Sequence, residues 1–170
     1  MEQLINLLIQ KVYRRYKENY YQEIHKKLLL LKQEKLAGVF MASLHNSFVS
    51  FTDWEFNYNK FGSTLSRQLI YLDEIIVYQH DIKFNRHFLL SLMGYHLPPE
   101  NSLAYRFTFA QLLDTTAEEV AHCLVREFYP DAEEHGTEFK EVKTSILGYL
   151  EQENIVKIIK HELEKNGIDM

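Results

Sequence analysis

The residues with the clearest chemical potential lie in the stretch DTTAEEVAHCLVREFYPDAEEHGTEFK, residues 114–140. Glu118 and His122 are four positions apart, so on a helix their side chains lie on one face, one turn from each other. His135 follows after twelve intervening residues, which is enough for the helix to end and the chain to turn back. Three protein ligands and an open position for water are typical of catalytic zinc. The spacing is therefore consistent with a zinc site formed by Glu118, His122 and His135, but E-E-x-x-H on a helix is also common by chance, and His122 could be an ordinary core or surface histidine.

Glu119 stands next to these ligands in the sequence. Neighbouring residues of an α-helix are about 100° apart around the helix axis, so its carboxylate would lie beside a bound metal rather than on it. In H-E-x-x-H metalloproteases the glutamate at this position is the general base that takes a proton from water. We therefore predict Glu119 as the catalytic residue.

The same stretch resembles the SprT-like family of zinc metalloproteases, which includes the Spartan proteases. That family has an aspartate-threonine pair entering the helix, then H-E-x-x-H, then a third histidine in a His-Gly-x-x-(Phe/Trp)-Lys motif. This chain has Asp114 and Thr115, then EEVAH at 118–122, then HGTEFK at 135–140. A weaker likeness extends to FGSTLSRQLIYLDEII at 61–76, which is similar to the family's strand along the substrate cleft.

The resemblance covers roughly residues 47–150 and implies a function. It implies that His122 and His135 bind zinc, that Glu119 is the general base, and that the reaction is hydrolysis of a peptide bond in a protein substrate. Zinc would polarise the carbonyl and the water, and Glu119 would pass the proton to the leaving amine. Proteins attached to DNA are the substrates that the family suggests.

Glu118 departs from the family pattern, which has a histidine at this position. In one interpretation Glu118 binds zinc through a carboxylate oxygen, and its negative charge weakens the metal as a Lewis acid. In a second the site is degenerate and the fold is kept for binding only. In a third a zinc-binding histidine has been replaced to trap an inactive form.

Other residues are consistent with a different metal enzyme. IVYQHDI at 76–82 has the apolar-His-Asp-apolar form of HD-domain phosphohydrolases, which hydrolyse phosphoesters in an all-helical fold. The alternating segment 48–58 is typical of a strand and therefore argues against an all-helical fold. If the chain is not an HD-domain protein, we expect His80 and Asp81 at the solvent-exposed end of a helix or strand. The metal ligands of this alternative are His45, His80, Asp81 and Asp114.

A third alternative is a non-enzymatic module that binds a protein partner. It would have an empty metal site and an aromatic surface. Such a surface could be built from Tyr13, Tyr16, Tyr20 and Tyr21. The remaining histidines have no convergent partners in the sequence, and we expect them at the surface; they are His25, His87, His96 and His161.

Composition and charge narrow the function classes. The chain has 170 residues, of which 46% are hydrophobic, so one domain with a sizeable core is expected. Its net charge of −5 does not support DNA binding by electrostatics alone. The best candidate for a basic patch is KVYRRYK at 11–17, and the simplest interpretation of this segment is the solvated face of a helix. Cys123 is the single cysteine, which excludes an internal disulfide and a thiolate zinc ribbon. We expect it to be a small buried hydrophobe.

The N-terminal segment has no features of a secretory signal, and no apolar run approaches the roughly 20 residues that cross a bilayer. Together with the single cysteine, this predicts a cytoplasmic or nuclear protein without a membrane partner. The sequence does not predict an oligomeric state.

The expected fold class is α+β, a zincin-like SprT domain spanning 1–170. It consists of an N-terminal helical segment (1–36), a metalloprotease-like core (37–150) and a C-terminal helix (151–170).

Within this outline the sequence predicts individual elements from hydrophobic periodicity and turn residues. A small antiparallel sheet is predicted from strands at 48–58 and 63–72, joined by a turn at 59–62. The predicted helices lie at 2–34, 82–94 and 108–128, and two more lie after Gly136, separated near 148–154. Pro98 and Pro99 place a loop at 97–102.

Overall fold

The structure, a computed structural model, describes residues 1–30, 32, 34, 48–52, 61–72, 75–92 and 108–165. Helices and a small sheet together form an α+β fold, as the sequence predicts. The described elements are α1 (Glu2–Leu30), β1 (Phe48–Thr52), β2 (Gly62–Leu72), β3 (Ile75–Asn85), α2 (Arg86–Leu92), α3 (Phe109–Phe128), α4 (Thr137–Leu150) and α5 (Asn154–Lys165).

Among the described residues the sheet has three strands, in the order β1-β3-β2. β2 and β3 are antiparallel, with Gly62 opposite Phe84 and Ser66 opposite His80, and only two residues separate them in the chain. β1 is parallel to β3 and does not neighbour β2. The predicted antiparallel sheet is therefore correct for β2 and β3, but the predicted pairing of the 48–58 strand with the 63–72 strand is wrong. The short connection joins β2 to β3, which are antiparallel. β1 is parallel to β3, and parallel strands need a longer stretch of chain between them.

The predicted helix at 82–94 is wrong in its first turn. β3 continues to Asn85, and α2 occupies only Arg86–Leu92. His80, Ile82 and Phe84 alternate along β3 and are all buried. Residues 82–85 therefore form a strand rather than a helix, because alternate side chains are buried and the backbone of β3 pairs with β1 on one side and β2 on the other. The loop at 97–102 and the second half of the 48–58 strand lie outside the described residues.

α1 confirms the predicted N-terminal helix over residues 2–30. It packs against α3, α4 and α5. The side chains of Ile5, Leu8, Ile9 and Val12 form its buried stripe, whereas Leu7 is 47% exposed.

Part of the basic segment 11–17 contacts the C-terminal helices. Lys11 forms a 3.0 Å ion pair with Glu153, and the Arg15 guanidinium lies 5.2 Å from the centre of the Tyr149 ring. Burial and a hydrogen bond to Glu153 raise the pKa of Tyr149 to about 12. Two charges of the candidate nucleic-acid patch thus hold α1 on α4 and α5.

α3 confirms the predicted helix at 108–128. Thr108 is its N-cap, and Thr108 and Gln111 form a capping box, which satisfies free N–H groups at the helix start. α3 contacts β2 and β3 with one part of its surface and α4 with another. α4 begins after Gly136 and α5 begins at Asn154, so the predicted division of the C-terminal region is also confirmed.

None of the helices within the described residues carries an apolar stretch long enough to cross a bilayer.

We expect Ile9→Ala to lower the free energy of unfolding by about 2–5 kcal/mol, because Ile9 is fully buried between α1 and the neighbouring helices. Leu7→Ala on the same helix is the matched control, with an expected loss of less than about 0.5 kcal/mol. Urea denaturation followed by circular dichroism measures both. Equal losses would contradict the burial of the Ile9 face of α1.

Candidate metal centre

α3 places three polar side chains along one stripe. Asp114, Glu118 and His122 follow each other at intervals of four residues, one helical turn apart. The opposite side of α3 is buried, including Val120 and Leu124. Because that burial sets the rotation of the helix, the stripe is directed to the surface beside the start of α4.

His135 reaches this stripe from the turn between α3 and α4. The turn is closed by backbone hydrogen bonds from Ala132 to Tyr129 and from Gly136 to Glu133, both 2.9 Å long. His135 has a φ of 63°, in the left-handed region that residues other than glycine seldom adopt. Such a conformation is held by its surroundings and is often found where a side chain is positioned for function.

The two imidazoles lie next to each other. The ring centres of His122 and His135 are 4.9 Å apart and the rings are perpendicular. Phe139, on the first turn of α4, is buried and lies 4.6 Å from each ring centre. The phenylalanine of the HGTEFK segment is therefore the wall against which both imidazoles pack.

The predicted ligands converge. One ligand atom from each of Glu118, His122 and His135 can be chosen so that all three lie within 4.8 Å of one another. Tetrahedral zinc holds its ligand atoms roughly 3.4 Å apart, since each lies roughly 2.1 Å from the metal. A bound zinc would therefore require the ligand atoms to move closer together. The donor set of two imidazoles and one carboxylate is one that zinc accepts.

His122 is prepared for this role by its surroundings. Burial, and then the neighbouring His135, lower its pKa below the ordinary histidine value. The imidazole is consequently neutral near pH 7, with a lone pair that a metal can use.

Glu118 also has a partner within the chain. Lys143 of α4 donates a 2.8 Å hydrogen bond to Oε2 of Glu118 and forms a 2.9 Å ion pair with Asp114. Burial alone would lower the pKa of Lys143, but the hydrogen bonds to these two carboxylates outweigh it and raise the pKa. Lys143 was not predicted from the sequence, although it lies one turn beyond Phe139 on the same face of α4.

Glu119 does not point along the ligand stripe. Its side chain is only 6% exposed and packs against the start of β2. Thr64 donates a 2.7 Å hydrogen bond to Oε2 of Glu119, and a Cβ added at Gly62 would stand 2.6 Å from Oε1. Glycine is therefore needed at position 62 for this close approach. Neither contact was predicted, since both depend on how β2 packs on α3.

The site opens into a cleft of about 460 Å³ between β2 and α3. Glu118, Glu119 and His122 line it from the helix side, and residues 62–66 line it from the strand side. His135 is exposed and is not part of this lining. The cleft thus brings the predicted base and two of the predicted ligands onto one surface.

The alternative metal site is not assembled in the described residues. His80 and Asp81 lie in a β-strand, where neighbouring side chains point to opposite faces, and His45 lies outside the described residues. Asp114 pairs with Lys143. The expectation that His80 is exposed is wrong, because its burial is nearly complete at 1% exposure.

The remaining sequence expectations have mixed outcomes. Cys123 is fully buried, as predicted, and its thiol donates a 3.2 Å hydrogen bond to the Glu119 carbonyl. Of the histidines expected at the surface, His161 is exposed, His25 and His87 are half-buried, and His96 lies outside the described residues. The side chains of Tyr13, Tyr20 and Tyr21 also lie outside them.

Comparison of the chain with protein-family models, with characterised proteins and with solved structures finds no match in any of the three.

We expect His135→Ala to weaken zinc binding by at least about 100-fold, because the variant removes one of three converging ligands. His161→Ala is the matched control, since His161 is exposed on α5 and lies outside the group. Isothermal titration of each metal-free protein with zinc measures the affinities. Equal affinities in the two variants would exclude His135 as a ligand.

Proposed function

We propose that the chain is a zinc-dependent metallopeptidase with a zincin-like SprT fold. Glu118, His122 and His135 would hold the metal, and Glu119 would act as general base. The observation that carries this proposal is the convergence of the three ligand side chains beside a cleft that also contains the Glu119 carboxylate.

Zinc bound by these residues would supply a Lewis acid that polarises a peptide carbonyl and activates water. Glu119 would take a proton from the attacking water and deliver it to the leaving amine. Thr64 supports this role because its hydroxyl holds Oε2 of Glu119 in place. Gly62 supports it as well, because the absence of a side chain leaves room for Oε1.

The strand side of the cleft suits an extended peptide. β2 pairs with β3 on one side only and is an edge strand among the described strands. Edge strands have backbone N–H and C=O groups that can pair with an added strand. Residues 62–66 of β2 line the cleft, so a peptide added there would pass the Glu119 carboxylate.

The pairing of Glu118 with Lys143 bears on how strongly a bound zinc would act as a Lewis acid. A histidine ligand is neutral, whereas a glutamate adds a negative charge that weakens the metal as a Lewis acid. Lys143 offsets this charge with an ammonium group 2.8 Å from Oε2. Lys143 also pairs with Asp114, so it offsets the charge of Glu118 only in part, and its hydrogen bond is to Oε2 rather than to Oε1.

A protein substrate is proposed without a requirement for DNA. The net charge of −5 does not favour binding to a polyanion. Within the basic segment, Lys11 pairs with Glu153, just before α5, and Arg15 lies over the Tyr149 ring of α4. The attachment of the substrate to DNA, which the family resemblance suggests, therefore has no support from these residues.

A non-enzymatic interaction module is the second candidate. It is favoured by one observation, namely that Lys143 already satisfies Glu118 without a metal. In that case the cleft would bind an extended peptide and leave it intact.

We expect Glu119→Gln to lower the rate of peptide hydrolysis by about 10²–10⁴-fold, because glutamine cannot accept the proton of the attacking water. Zinc affinity should remain within a factor of about 3, since Glu119 is not a ligand in the proposed site. Cleavage of an unfolded protein such as casein in the presence of zinc, together with zinc titration, measures both quantities.

Glu164→Gln is the matched control for this variant, since Glu164 is an exposed carboxylate on α5 and does not line the cleft. Its activity should equal that of the unaltered chain. Full activity in the Glu119 variant would contradict the proposed base, and peptide binding without cleavage by the unaltered zinc-loaded chain would favour the interaction module.

A further inference from the structure

A second set of polar side chains meets beside the same cleft. Ser66 of β2 and His80 of β3 face each other across the antiparallel pair, and Ser66 Oγ lies 2.8 Å from His80 Nδ1. On the other side of the ring, His80 Nε2 lies 2.7 Å from Glu127 Oε1 at the end of α3. The three side chains form one hydrogen-bonded chain from the sheet to the helix.

The burial of the three groups differs along this chain. The side chains of His80 and Glu127 are only 1% and 3% exposed. Ser66 is half-buried and belongs to the cleft lining. In this hydrogen-bonded series, the Ser66 hydroxyl therefore lies next to the cleft, and the Glu127 carboxylate at the other end is shielded from water.

The chemistry of the groups assigns the direction of the hydrogen bonds. An ionised glutamate can only accept a hydrogen bond, so a neutral His80 carries its proton on Nε2 and donates it to Glu127. In this tautomer the lone pair on Nδ1 accepts the hydrogen bond from the Ser66 hydroxyl. The ring of Tyr78 is nearly parallel to the His80 imidazole: the ring centres are 5.9 Å apart and the angle between the ring planes is 13°. This neighbour restricts rotation of the His80 side chain.

We propose that Ser66 is a nucleophile for acyl transfer, with His80 as its base and Glu127 as the group that orients the base. A hydroxyl, an imidazole and a buried carboxylate linked in this order are the groups that activate serine in unrelated hydrolases, although here the serine lies on Nδ1 and the acid on Nε2, the reverse of the usual use of the two ring nitrogens. The substrate class is an ester or a similarly activated acyl group that enters the cleft.

The reaction balances without a further reagent. Ser66 Oγ attacks the carbonyl carbon while its proton moves to His80 Nδ1, and the bond to the leaving alcohol breaks as that proton passes to the alcohol oxygen. Water then attacks the acyl-serine, gives a proton to His80, and releases the carboxylic acid as the serine hydroxyl is restored. Arg126 also lines the cleft, and a positive charge there would stabilise the carbonyl oxygen as it becomes negative.

This chemistry is independent of the proposed metallopeptidase function. Ser66, His80 and Glu127 are outside the group formed by Glu118, His122 and His135. Acyl transfer by Ser66 should therefore persist when zinc is removed. A purely structural tie between β3 and α3 would stabilise the fold but would not make the hydroxyl reactive.

The test uses the full chain treated with a chelator and a fluorophosphonate probe, which forms a covalent bond with activated serine. We expect one label per chain, mapped by mass spectrometry to Ser66, and equal labelling of His135→Ala. Ser66→Ala should lose the label, whereas Ser63→Ala should keep it, because Ser63 lines the same cleft but stands opposite Lys83 rather than a histidine. Circular dichroism confirms that each variant is folded.

A second pair of variants tests the activation directly. Ser66→Cys should react with iodoacetamide at least about 10-fold faster than Ser63→Cys, because a neighbouring imidazole raises the thiolate fraction. Cys123 is fully buried and contributes little to the measured rate. Absence of label on the folded chain, equal label on Ser66→Ala, or equal alkylation of the two cysteine variants would each overturn the proposal. Loss of label in His135→Ala would overturn its independence from the metal centre.

Discussion

The rotation of α3 about its own axis is the constraint on which the site depends. One side of the helix is buried against the sheet and α4, and residues such as Leu112, Val120 and Leu124 leave almost no exposed surface. Turning the helix would expose these side chains at a cost of about 1.5–3 kcal/mol each. This rotation directs Glu118 and His122 towards the start of α4 and Glu119 towards β2. The packing of the apolar side of α3 therefore decides which residues can be metal ligands and which can be the base.

β2 brings the second half of the chemistry to the cleft. Gly62, Thr64 and Ser66 alternate along the strand and so share one face. Gly62 leaves space for the Glu119 carboxylate, Thr64 donates a hydrogen bond to it, and Ser66 lies 2.8 Å from His80 Nδ1. Burying a carboxylate such as that of Glu119 is costly unless it is hydrogen-bonded, and the contact with Thr64 reduces that cost. The strand is thus a source of polar contacts for the helix as well as a wall of the cleft.

Local signals in the sequence were sufficient for α3 and for the ligand spacing. The capping box of Thr108 and Gln111 marks the start of the helix, and the four-residue interval of Glu118 and His122 follows from helix geometry alone. Contacts between side chains on different helices and strands could not be predicted in this way. Lys143 reaches Glu118 only because α4 packs on α3, and His80 was expected at a surface because the strand that buries it was not recognised. The left-handed backbone of His135 likewise depends on its turn, since no residue type demands it.

A single metal ion shared by Glu118, His122 and His135 is the central claim. The most direct measurement is a crystal structure of the unaltered chain grown with zinc, with anomalous diffraction data collected at the zinc absorption edge. We predict one strong anomalous peak roughly 2.0–2.2 Å from a ligand atom of each of the three residues. A well-ordered site without a peak, or a peak bound elsewhere while Lys143 remains the only partner of Glu118, would contradict it.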